Sequence, residues 1–94
     1  MTRIVVKKVI FDEYNLAHIT RHKVTKEDIL AVRGYIIFHK QSYQKRYLAV
    51  GRSGTRIISI VLKRKAPGEY YLITARDAGK KERRRVYEIE KDKK

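Results

Sequence analysis

The stretch YYLITARDAGKKERRRVY, Tyr70 to Tyr87, decides the architecture of this chain. Its first half alternates as a strand, with Tyr70, Leu72, Thr74 and Arg76 on one face and Tyr71, Ile73 and Ala75 on the other. Asp77 then offers a side-chain oxygen to the first free amides of a helix that opens with Lys80, Lys81, Glu82, Arg83, Arg84 and Arg85. An arginine at the tip of a strand, beside a basic helix start, suits the grip of an anion.

Working outward, the run Thr55 to Lys63 is the most strand-like in the chain, apolar on both faces, and so reads as a central strand covered on both sides. Pro67-Gly68 joins it to the Tyr70 strand, and Gly51 with Ser53-Gly54 makes the turn before it. Gln44 to Val50 and Tyr35 to Phe38 read as the preceding strands. Further back, Asp12 caps a helix over Glu13 to His22, and Thr25, with Asp28 three residues on, forms a capping box for a second helix that Gly34 ends. The β-branched segment Arg3 to Ile10 favours an initial strand at one side of the sheet. The last helix, Gly79 to Ile89, has too few apolar residues to stand alone and must dock on the sheet or a partner. The expected fold is α+β: two N-terminal helices with a short strand ahead of them, an antiparallel meander of three to four strands, and a C-terminal helix.

Ninety-four residues make one domain, residues 1–94. A hydrophobic share of 43% supports a core even beside 36% charged residues. The net charge of +14 opposes folding, so it points to a polyanionic partner, nucleic acid before an acidic protein or a membrane surface. There is no cysteine, which excludes a disulfide scaffold and any thiolate-bound metal. The apolar runs are far too short to span a bilayer and no signal peptide is legible, so a soluble, cytoplasmic protein is expected. From Ile29 to Gly68 no acidic residue occurs, while Arg33, Lys40, Lys45, Arg46, Arg52, Arg56, Lys63, Arg64 and Lys65 all fall there. Interleaved with Tyr35, Phe38, Tyr43 and Tyr47, they read either as a nucleic-acid face or as solubilising cations over packed rings.

Three blocks, FDEYNLAHITRHKVTKEDI, RYLAVGRSGTRIISIVL and YYLITARDAGKKERRRVYE, together resemble the BrnT-type toxins, small ribonucleases of type II toxin–antitoxin systems related in fold to RelE. The resemblance spans Ile10 to Glu88. It is carried by Thr74-Ala75-Arg76 with Ala78, Glu82-Arg83 and Tyr87, then by Asn15 with His22, and more weakly by Arg46-Tyr47 with Gly51. It implies metal-independent RNA cleavage with no cofactor, RNA (messenger RNA included) as substrate, and an antitoxin with an acidic segment that neutralises the toxin by binding, in an oligomer with it. The chain departs from the family pattern at Lys63-Arg64, where an acidic residue usually precedes the arginine, at Lys23 in place of glycine, and at Phe11 in place of tryptophan. The first departure touches catalysis directly, because it removes a carboxylate base.

Cleavage by the RNA's own 2′-hydroxyl needs a base, a stabiliser of the charged phosphorane and an acid for the leaving oxygen. Arg76 suits the second role, with Arg46 and Arg64 as companions on strands beside it. Its competing reading is an ion pair with Glu82. His22 reads either as an acid–base group or as the holder of a helix end; His18 and His22 would need His39 or a carboxylate to complete a zinc site, and no metal is expected. Arg52, Arg56, Lys63, Lys65, Lys80, Arg83 and Arg84 are the expected RNA contacts, with Arg83 to Arg85 also a landing place for an acidic antitoxin segment. Glu82 reads as structural, bonding helix amides. No phosphate-cradling glycine loop or serine–histidine–aspartate set occurs. The alternatives are a non-catalytic RNA-binding module of the same fold and an interaction protein awaiting an acidic partner.

Overall fold

The computed structural model describes residues 4–42 and 44–92; Arg3, at the expected start of the first strand, and Tyr43 lie outside the described residues. The elements run β1 (Lys8–Ile10), α1 (Glu13–Arg21), α2 (Lys26–Gly34), β2 (Ile36–Gln41), β3 (Arg46–Ser53), β4 (Arg56–Ala66), β5 (Glu69–Asp77) and α3 (Lys80–Asp92). They build one sheet in the order β1-β5-β4-β3-β2, in which β2 to β5 form the antiparallel meander and β1 adds in parallel to β5. The α+β expectation holds.

Both helix starts form as their residues dictate. Asp12 accepts the Asn15 amide while the Asn15 side chain accepts the Asp12 amide, and Thr25 and Asp28 exchange the same pair of bonds. α1 ends at His22, whose backbone N–H donates to Ile19 and Thr20. Lys23 follows at φ 58°, with Lys23 N–H donating to Thr20 O and Val24 N–H to Ile19 O. That is the left-handed C-terminal motif in which glycine costs least.

α1 and α2 cover one sheet face, where Ile19, Val24, Ile29 and Val32 meet Ile58, Ile60, Leu62, Tyr70, Leu72 and Ala75. Asn15, fully buried, donates to Ile10 O and Leu72 O, filling the gap where β1 ends beside β5. α3 crosses the other face and buries Val86 against Val50, Ile57 and Ala78. Gly51 lies within β3 rather than in the expected turn, which falls at Gly54 instead; a Cβ on Gly51 would stand 2.7 Å from Tyr35 O. Gln44, expected in strand, sits with Lys45 in a turn at φ 59° and 60°.

Two expectations from the opening stretch are overturned. β5 carries an extra residue at Ile73, since Val61 pairs Thr74 while Leu62 pairs Leu72. The bulge reverses the alternation, so Tyr70, Leu72 and Ala75 share the α1/α2 face and Thr74 and Arg76 point to the α3 side. Asp77 does not cap α3: it belongs to β5 and pairs with Arg56 at 2.9 Å. The cap comes from Glu82, which reaches back to the Gly79 N–H at 2.9 Å.

Candidate nucleic-acid interface

The α3 side of the sheet is only half covered. On the middle strand β4, Ile58, Ile60 and Leu62 are fully buried against α1 and α2, and Ile57 and Ser59 lie beneath α3, but Val61 and Lys63 are partly open. β4 is therefore central but not covered along its whole length on both sides. Strand register sets the open surface row by row. Val50, Ser59 and Arg76 lie across from one another next to α3; Lys40, Leu48, Val61 and Thr74 form the next row; Arg46, Lys63 and Tyr71 form the last.

Arg76 stands at the border of the covered and open halves. Its guanidinium bonds Asp77 O at 3.1 Å and the two Glu82 oxygens at 3.3 and 3.4 Å, yet its side chain is 49% exposed. It is held but reachable. Burial alone would raise the Glu82 pKa; the Ser59 hydroxyl, which donates at 2.7 Å, the Gly79 amide and Arg76 outweigh it and hold the carboxyl below its ordinary value. Glu82 is thus a fully engaged anion, as expected for a structural helix-start glutamate.

The far row differs. Arg46 and Lys63 have no carboxylate partner among the described residues, and Arg46 Nε is buried without an acceptor there. Lys65 Nζ lies 5.8 Å from the Tyr71 ring centroid. The Tyr71 hydroxyl donates to Asp12 at 2.8 Å, a bond that raises the Tyr71 pKa, while the Asn15 amide and Tyr71 lower that of Asp12.

Other expected site residues fall elsewhere. β3, bearing Arg46, is separated from β5 by β4, so Arg46 is not on a strand beside Arg76. Arg64 does lie on the neighbouring strand, but opposite Tyr70, on the α1/α2 face. Arg52 forks onto Glu90 at 2.6 and 2.9 Å, and Arg56 joins Asp28 and Asp77. Lys80, Arg83 and Arg84 line a shallow depression with Tyr87, which helical spacing from Val86 turns away from the sheet. His22 ends α1 on the other side of the sheet, and the structure does not bring it to Arg76. His18 and His22 rings meet at 5.6 Å, but among the described residues no three metal-ligating side chains gather. Lys40, among the cations of the acid-free stretch, is placed on the open face by the β2 register, and the contact that sequence reasoning missed is that of Arg85 with Phe38, 6.0 Å from guanidinium to ring centroid. Phe38 is on β2 and Arg85 on α3, and only the tertiary fold brings the two elements together.

The fold and this face define a small α+β protein with a half-open cationic sheet. The same fold occurs in the crystal structure of the Brucella abortus ribonuclease toxin BrnT, which this chain resembles with a TM-score of 0.58 and 22% identity, covering 80% of this chain and 100% of that one. The protein has a BrnT-like fold. No protein-family model and no curated protein sequence matches the chain. No helix among the described residues is long and apolar enough to cross a membrane.

Proposed function

We propose that this protein is a ribonuclease toxin of a type II toxin–antitoxin system, acting in the cytoplasm and cleaving RNA without a metal on the open half of its sheet. The observation that carries the reading is the row of unmatched cations on the same open face as a half-exposed Arg76, in a fold shared with a ribonuclease toxin. Phosphates lie along Lys40, Arg46, Lys63 and Lys65, and Arg76 stabilises the charge that builds up as the 2′-oxygen bonds to phosphorus. The 2′-proton passes to solvent and the departing 5′-oxygen takes its proton from water, because the Tyr71 O–H is bonded to Asp12 and lies two rows from Arg76. An antitoxin with an acidic segment covers the same cations or the outer arginines Arg83 and Arg84 of α3.

A second reading has its own support. Lys63 stands where an acid would serve as base, and the nearby carboxylates Glu82 and Asp12 are both tied up in hydrogen bonds. That arrangement favours an RNA-binding module without catalysis. The test is incubation of purified protein with structured and unstructured RNA in EDTA. The toxin reading expects discrete fragments ending in 2′,3′-cyclic phosphate, lost in a cooperatively folded Arg76→Ala variant. Intact RNA with a salt-sensitive gel shift selects the binding module, and absence of both leaves an interaction protein.

A further inference from the structure

α1 carries a line of rings that the fold does not use. Tyr14, His18 and His22 follow one another at four-residue spacing, which aligns them along the helix. The Tyr14 and His18 ring centroids are 6.5 Å apart with planes inclined by 21°, and His18 and His22 are 5.6 Å apart at 56°. Tyr14 is 76% exposed and His22 is exposed, while the buried side of α1 is supplied by Asn15 and Ile19.

The position of this line matters. Leu16, Thr20 and Lys23 face α2 across a shallow hollow, so the rings occupy the opposite flank of α1. α1 packs along β5, and β1 pairs only Glu69 to Tyr71 of that strand. Beyond Tyr71 the edge of β5 has no neighbouring strand among the described residues, and α1, which packs along β5, carries the rings on this side. Their first member starts near the open cationic face: Tyr71, which closes the row of Arg46 and Lys63, bonds Asp12 at 2.8 Å, the cap of α1 two residues before Tyr14. Arg21, exposed on the same flank, adds a cation beside the rings.

We propose that Tyr14, His18 and His22 form a stacking ladder for the bases of single-stranded RNA, extending the sheet face over the free edge of β5 and onto α1. A strand leaving the face at Tyr71 meets Tyr14 first, then His18, then His22. The ladder reads no sequence, because every base has a face to stack. This proposal rests on the sheet face being an RNA site.

The test uses the full chain with 2′-O-methyl RNA, which cannot be cleaved through its 2′-oxygen, as oligomers of about 4 and about 12 nucleotides, long enough in the second case to reach a further binding surface. The Tyr14→Ala/His18→Ala variant is expected to bind the longer oligomer roughly 5- to 100-fold more weakly and the shorter one unchanged, with Tyr14→Phe equal to the parent. The chain has no tryptophan, so Tyr14→Trp gives a single reporter whose emission the longer oligomer should quench. Equal binding of both oligomers by the Ala variant, with Trp emission unchanged, overturns the ladder and leaves the sheet site standing. A parent that binds neither oligomer overturns both.

Discussion

The two ends of the half-covered sheet face use their cations in opposite ways. At the α3 end the arginines on the strands are answered: Arg76 by Glu82, Arg52 by Glu90, and Arg56, on the reverse face of the same end, by Asp28 and Asp77. At the far end Arg46, Lys63 and Lys65 meet no carboxylate among the described residues. A chain of net charge +14 has few anions to spend, and it places them where they clamp α3 and the strand ends. α3 needs those clamps, since Val86 is its one buried residue. The difference teaches that local charge density does not mark the binding surface here; charge without an internal partner does.

The comparison is broken most severely at Glu82. Glu82→Ala leaves the buried Ser59 hydroxyl and the Gly79 amide without an acceptor and frees Arg76, at a cost of about 2–3 kcal/mol. Thermal melts should show a drop of roughly 10–20 °C, with RNA affinity kept. Acid should act on the same clamp. The Glu82 carboxyl titrates below its ordinary 4.5, so its contribution is complete above that value and is lost as pH falls through the lower folded value. Melting temperature followed down from pH 6 to 3, which brackets the ordinary carboxylate range, should fall more steeply in the parent than in Glu82→Gln. The smallest effect lies away from the clamps. Lys23→Gly relieves a left-handed residue at the end of α1 and should raise stability by about 1 kcal/mol, seen as a later denaturation midpoint with unchanged slope.

Much of this was legible in the residues. Asp12 and Thr25 are local caps whose partners lie three positions away, and the double-sided apolar run of β4 can only be central. Arg76 was legible as a strand-tip arginine, and Glu82 as a residue bonding helix amides. The bulge at Ile73 was not, because an inserted residue leaves the apolar pattern plausible in either phase, and only pairing with Val61 and Leu62 shows which phase holds. Nor was the true partner of Asp77, since Arg56 lies 21 residues away and is brought there by strand pairing. The open half of the face was hidden for a related reason: Val61 is as apolar as Ile60, and its exposure depends on which rows α3 crosses.

The most direct measurement sets the two kinds of cation against each other. Binding of 2′-O-methyl RNA is followed across a salt series for Arg46→Ala/Lys63→Ala and for Arg52→Ala/Arg56→Ala. The open-row variant should keep its melting temperature, lose at least about tenfold in affinity, and flatten the salt slope by roughly 0.7 per lost phosphate contact. The clamped-pair variant should melt earlier while its affinity and slope stay near the parent's. The reverse result, with the clamped pair carrying the salt-dependent affinity and the open pair carrying none, would contradict the account.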